Sequence, residues 1–229
     1  MTPVMTRALW RSVLAVAVVC FSAVHAADYV DLRAAAPIRG DASTGAAKAE
    51  MCMACHGPGG NSLVPMFPRL AGQRADFLYW QLVEYKRGNV PDSPMREQAA
   101  NLTDEDMRNL AAFFAAQKPL APRNAPPAPS DTRGGELYAN GDPLLGVPPC
   151  QGCHGTDATG QADPRFRTFP VLRGQHTDYV IAKLKEYRSG ALADSSTDFI
   201  MQGVARTLDD ASIEAIARGL AALSPASSQ

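Results

Sequence analysis

The sequence predicts an all-α chain made of two tandem copies of one helical domain, and three observations carry that reading. Aromatic and aliphatic residues recur at three-to-four spacing over residues 77–87 and 179–188, and neither half has an alternating apolar pattern of useful length. Short motifs also repeat. Phe67-Pro68-Arg69-Leu70-Ala71-Gly72-Gln73 returns 102 positions later as Phe169-Pro170-Val171-Leu172-Arg173-Gly174-Gln175. At the same offset, Glu84-Tyr85-Lys86-Arg87-Gly88 returns as Glu186-Tyr187-Arg188-Ser189-Gly190. Met95 and Leu102-Thr103-Asp104 return as Met201 and Leu208-Asp209-Asp210 at an offset of 106. The offset grows only between motifs, as expected if the second copy carries longer loops.

Residues 1–26 read as an export signal. Arg7 and Arg11 supply a positive flank, residues 13–21 form a short apolar run, and Val24-His25-Ala26 before Ala27 has the small-x-small form of a cleavage site. That run falls far short of the ~20 apolar residues a spanning helix needs. Cys20 makes a poor lipoprotein site, because Val19 stands where a small residue is expected. Residues 27–39 match no pattern and are expected to form a flexible lead or a partner contact.

The first domain is placed at residues 40–118. An Ala-rich helix is expected over residues 44–55 and an amphipathic one over 77–87. Thr103 caps a last helix, with Asp104, Glu105 and Asp106 in the first turn and Met107, Leu110, Phe113 and Phe114 on the apolar face. Prolines at 119, 122, 126, 127 and 129 mark 119–131 as an extended, semi-rigid linker. The second domain, 132–224, repeats the plan. A shorter helix near residues 135–138 precedes the loop DPLLGVPP, a helix follows at 179–188, and Asp209 caps a last helix carrying Ile213, Ile216 and Leu220. Domains this small have modest cores and are marginal without an added constraint.

The constraint is read from a pair of pentads. Cys52-Met53-Ala54-Cys55-His56 recurs 98 positions on as Cys150-Gln151-Gly152-Cys153-His154. In a Cys-x-x-Cys-His turn each thiol can add to one vinyl group of a porphyrin, and the next His can give its imidazole to the iron. Zinc would need four ligands from neighbouring segments, and a redox dithiol has no requirement for the His. Two covalently attached haem c groups are therefore expected, on Cys52 and Cys55 and on Cys150 and Cys153, with His56 and His154 as axial ligands. Attachment of this kind belongs outside the cytoplasm, which agrees with the signal and points to a soluble protein of the bacterial periplasm.

Loss of residues 1–26 removes Arg7 and Arg11 and no acid, leaving 20 basic and 23 acidic residues and a net charge of −3. No basic surface for nucleic acid is implied. Four cysteines then remain, all in the pentads, and three histidines. Counting thus excludes bis-histidine ligation at the first iron and His/Cys ligation at both. In the first copy the sixth ligand is a methionine among 51, 53, 66, 95 and 107, or a lysine. Met51 and Met53 flank Cys52 on the wrong side of the ring, and Met107 belongs to a helix face. Met201 is the second copy's only methionine and aligns with Met95, whereas Met66 aligns with Thr168. Met95 and Met201 are therefore the expected ligands, with His176 the rival at the second iron. A His/Met pair raises the potential and saturates the iron, which suits outer-sphere electron transfer and needs no catalytic residue from the protein.

In order and spacing, CHGPGGNS, FPRLAGQ, QLVEYKRG, the methionine seven residues before LTDED, the Pro-rich linker and PPCQGCHG resemble the dihaem cytochrome c4 family over roughly residues 40–223. The resemblance implies two class I cytochrome c domains around a pseudo-two-fold axis, with their haem propionate edges facing. It also implies a monomeric periplasmic carrier, taking electrons from a bc-type quinol oxidoreductase and passing them to a terminal oxidase or reductase. Peripheral membrane association stays open, as does residence as a docked subunit. By residue match, Cys52, Cys55, His56 and Met95 hold haem one, and Cys150, Cys153, His154 and Met201 hold haem two. Family members often carry another methionine two residues before the second ligand, and here that residue is Phe199. The alternative from another class is a dihaem redox enzyme of the peroxidase or thiosulfate dehydrogenase type. Tyr85 and Tyr187 are candidates for packing near the haems, and Arg69, Arg74 and Arg173 for pairing with propionates.

Overall fold

The computed structural model describes residues 29–90, 93–120, 133–192 and 194–223. The expected signal, residues 1–26, and residues 121–131 of the expected linker lie outside the described residues. Nine α-helices occur among the described residues: α1 (Ala42–His56), α2 (Ala75–Arg87), α3 (Met95–Ala100), α4 (Asp104–Ala116), α5 (Arg133–Asn140), α6 (Gln151–His154), α7 (Thr177–Ser189), α8 (Ser196–Ala205) and α9 (Asp210–Ala222). Extended pairing among these residues is limited to two isolated bridges, Val30 with Ser195 and Asp142 with Val147. No described helix is long and apolar enough to cross a membrane.

Local chemistry sets the helix ends. Asp41 caps α1 by accepting from the Ser43 and Thr44 amides, a start two residues earlier than the Ala-rich pattern suggested. Thr103 and Asp106 form a capping box on α4, and Asp209 caps α9 through the Ser212 amide. Helices α2 and α7 both stop at a left-handed glycine, Gly88 (φ 79°) and Gly190 (φ 83°), a conformation that a β-carbon disfavours.

Each half has its own core. In the first, α1 packs on α4, with Ala49, Leu78, Tyr79, Val83, Met107, Leu110, Ala111 and Phe114 buried together. In the second, α5 packs on α9 around Leu137, Tyr138, Val180, Ile213, Ile216 and Leu220. At each crossing a glycine lies against a carbonyl of the facing helix. A β-carbon on Gly45 would stand 2.1 Å from the Asn109 carbonyl oxygen, and one on Gly134 would stand 2.1 Å from that of Ala215. Only a residue without a side chain permits such an approach.

The halves meet through the repeated FPxLxGQ segment. Gln73 accepts from the Val171 amide (2.8 Å) and donates to the Val171 carbonyl (2.9 Å). Gln175 does the same to Arg69, accepting at 2.9 Å and donating at 3.1 Å. Val171 and Gln175 are the repeat counterparts of Arg69 and Gln73, so the clasp is reciprocal, as a pseudo-two-fold axis requires. Both glutamines are buried.

Residues 29–39, before the first domain, are tied down, against the flexible-lead alternative of the two offered for this segment. The Val30 amide donates to the Asp194 carbonyl and the Ser196 amide to the Val30 carbonyl, while further along the Ile38 amide donates to Asp76. The reason is burial: Leu32 is 4% exposed, and it lines the internal cavity.

Candidate metal centres

Helix α1 carries Cys52, Cys55 and His56 in its last two turns, and α6, with Cys150 as its N-cap residue, carries Cys153 and His154. The two histidines are held alike. Nδ1 of His56 lies 2.9 Å from the Pro68 carbonyl oxygen, and Nδ1 of His154 lies 3.1 Å from that of Pro170. A carbonyl only accepts, so Nδ1 carries the proton and Nε2 keeps its lone pair for a metal. Both rings are buried, and burial pushes both imidazoles below their ordinary pKa, opposed by the bond to the carbonyl. The neutral form that a ligand needs is the favoured one.

A single apolar cavity of about 940 Å³ joins both centres, and its wall contains Cys52, Cys55, His56, Met95, Cys150, Cys153, His154 and Met201. All eight residues expected from the sequence are thus brought to one space. The volume lies at the upper end of the ~300–1,000 Å³ of ligand sites. Four buried side-chain polar atoms lack a partner among the described residues: Arg69 Nε, Trp80 Nε1, Thr168 Oγ1 and Glu84 Oε1. All four residues line the cavity. Three are donors, as the acidic edge of a porphyrin demands, and burial pushes the Glu84 carboxyl above its ordinary range, toward the protonated form. Apolar walls with a few convergent polar groups fit two haems.

The same geometry speaks against the dithiol and zinc readings. Burial raises the thiols of Cys52 and Cys153 and pushes Cys150 up to about 11, the reverse of a reactive dithiol. Among the described residues no three His, Cys, Asp or Glu side chains gather to hold a metal.

The other methionines are accounted for. Met107 is 4% exposed within the first core, and the sulfur of Met53 accepts from the Gly59 amide at 3.2 Å. Met51 and Met66 are exposed at 71% and 68%, although both touch the cavity rim. His176 is absent from the wall, and its Nε2 lies 3.0 Å from the Ser62 carbonyl of the other half. Tyr85 and Tyr187 do line the cavity. Arg74 instead crosses to the Phe166 and Gln161 carbonyls, Arg173 donates to that of Asp157, and Arg69 donates through Nη1 to that of Leu120.

Sequence reasoning passed over two groups. Gln73 and Gln175 served only as alignment markers, although identical amides in both copies were the available signal. Tyr138 donates to the Gly155 carbonyl at 2.6 Å and so fixes the turn after His154; no repeat counterpart marks it.

A family model described as "Cytochrome c" matches residues 132–223, and one described as "Cytochrome C oxidase, cbb3-type, subunit III" matches residues 41–114. Cytochrome c4 of Thiocapsa roseopersicina is 43% identical over 195 residues, covering 84% of this chain and 97% of its own. The chain belongs to the cytochrome c4 family. It is a dihaem electron-transfer cytochrome, with haem c bound covalently at Cys52 and Cys55 and at Cys150 and Cys153. The solved structure of reduced recombinant cytochrome c4 from Pseudomonas stutzeri superposes with a TM-score of 0.69 at 35% identity, covering 80% of this chain and 99% of that one. A "Thiosulfate dehydrogenase electron acceptor" of Thiomonas intermedia is 33% identical over 185 residues, covering 79% of this chain and 83% of its own. The two-domain, all-helical cytochrome architecture expected from the sequence is the one observed.

Proposed function

We propose that this cytochrome c4 homologue is a periplasmic electron carrier, not an enzyme, with both irons held between His and Met. Domains are assigned to residues 40–118 and 132–224, linked by 119–131, after cleavage of residues 1–26. The observation that carries the reading is that Met95 and Met201, matched by the repeat, share the cavity wall with His56 and His154 while the sulfur of Met53 and the side chain of Met107 are engaged elsewhere. Bound haem supplies a one-electron Fe(III)/Fe(II) couple. The chain's part is to orient two neutral imidazoles through Pro68 and Pro170, to offer a thioether opposite each, and to line the site with apolar side chains that exclude water. No general acid, base or nucleophile is required of it.

The far-red sulfur-to-iron band of the oxidised protein tests the ligands. Met95→Ala and Met201→Ala should each remove about half of it, one of two equal centres. Full intensity in both variants would overturn the assignment. Rapid stoichiometric binding of carbon monoxide or cyanide by the unmodified protein would count for the enzyme reading.

The expected donor is a bc-type quinol oxidoreductase and the acceptor a terminal oxidase or reductase. The Thiomonas intermedia relative favours a second donor, a thiosulfate dehydrogenase. Stopped-flow reduction of the oxidised cytochrome by each enzyme separates them, since the physiological donor should be the faster by orders of magnitude.

A further inference from the structure

Any helix starts with backbone N–H groups that have no partner inside it. At α8, Ser195 Oγ accepts from the Asp198 amide, but the amide of Ser196, the first helical residue, needs a partner from outside the helix. A carbonyl from far away in sequence takes it: Val30, at 3.0 Å. The same short segment donates the Val30 amide to the Asp194 carbonyl (2.9 Å) and the Leu32 amide to Ser196 Oγ (2.9 Å). Three hydrogen bonds thus hold the entry to α8. Ser195 and Ser196 are 2% and 3% exposed beneath them, and the Leu32 side chain closes part of the cavity wall. Past Leu32 the chain crosses to the first half, where the Ile38 amide meets Asp76 and Asp41 caps α1.

Met201 sits on α8, five positions after Ser196. Its counterpart Met95 opens α3, a helix with no side-chain cap, where among the described residues the Met95 amide meets the Ser93 hydroxyl at 3.3 Å. A thioether is a neutral, weakly held ligand whose position depends on the element that carries it, so whatever fixes that element tunes the centre. We propose that Val30 and Leu32 are positioning residues for the second redox centre, holding the first turn of α8 and through it Met201, with no equivalent at the first among the described residues. The proposal rests on Met201 being the second axial ligand.

The test uses the purified dihaem protein with residues 29–36 deleted downstream of the signal, and two milder variants, Val30→Pro and Leu32→Asp. Val30→Pro removes the amide that meets Asp194 and keeps the carbonyl that accepts from Ser196. The far-red band, the midpoint potentials of both haems and amide exchange at residues 196–198 are measured in each. The deletion is expected to reduce the band, to lower one potential while leaving the other in place, and to speed exchange at residues 196–198 about tenfold or more. In a Met201→Ala background it should cause no further loss of the band. Equal loss from both centres, or no change in band, potentials and exchange, overturns the positioning role. Full intensity in Met201→Ala alone overturns the ligand assignment instead. Half intensity there with an unchanged band in the deletion variant overturns the positioning role alone.

Discussion

The two halves of this cytochrome reach the same attachment turn by different routes. In the first, one fifteen-residue helix, capped by Asp41, runs unbroken through Cys52 and Cys55 to His56. In the second, α5 ends at Asn140, the chain folds back through the Asp142–Val147 bridge, and Pro148 and Pro149 precede the four-residue α6 that bears His154. Proline has no amide to continue a helix, so the second run cannot be continuous. Beyond that turn the halves converge again: a proline carbonyl on each Nδ1, a glycine at each terminal helix crossing, a capped last helix. They diverge once more at the methionine segments, six residues in α3 against ten in the strapped α8. The features that orient the imidazole are duplicated, whereas the helices that carry Met95 and Met201 differ.

The largest effect should come from cutting the thioether attachments. Changing Cys150 and Cys153 to Ser should leave one haem per chain and unfold most of the second half, whose run-in helix is short. The same change at Cys52 and Cys55 should cost less helix, because α1 is continuous and capped. Haem-to-protein ratio and far-ultraviolet circular dichroism measure both, and equal helix loss would show that the run-in does not matter. Next in size are Gly45→Ala and Gly134→Ala, each forcing a methyl group onto a carbonyl and expected to cost about 2–3 kcal/mol in urea unfolding. A variant within about 0.5 kcal/mol of the parent would remove that crossing from the shared features.

Gln73→Ala and Gln175→Ala each strand a backbone amide and carbonyl of the opposite half, at about 1–3 kcal/mol. The reciprocal geometry predicts equal costs, so unequal ones would break the symmetry. The smallest effect concerns Glu84, whose repeat counterpart Glu186 is engaged by Lys183 at 2.6 Å. Burial first, then the nearby Asp198 and Asp194, raise the Glu84 carboxyl above its ordinary 4.5, opposed by Asn89 and Arg87. A carboxyl raised on folding binds its proton more tightly in the folded state. Its contribution is therefore full below the unfolded pKa and declines as pH rises through the folded one. Glu84→Gln should flatten the fall in stability upward from about pH 4.5, and an unchanged slope by urea unfolding would remove Glu84 as its source.

Much of this protein was readable because its determinants are local. The pentads, the repeat offsets, the caps at Thr103 and Asp209 and the broken run before Cys150 all act within a few residues, so spacing and residue type sufficed. Methionine counting narrowed the candidates for a related reason: with few methionines in the chain, the repeat left one in the second copy. The methionine helices α3 and α8 were not read in advance, since short segments with mixed periodicity carry little signal.

Tertiary structure decided the remainder, because its determinants lie far apart in the chain. Whether residues 29–39 hang free or strap both halves depends on hydrogen bonds from Val30 and Leu32 to residues more than 160 positions away. The glutamine clasp spans about a hundred positions, and so does the reach of His176 to Ser62 that takes it away from the second centre. Residue type declares what a side chain can bond. Only the folded backbone supplies the donor or acceptor it meets, and here that choice turned an alignment marker into a clasp and a rival ligand into an interdomain contact.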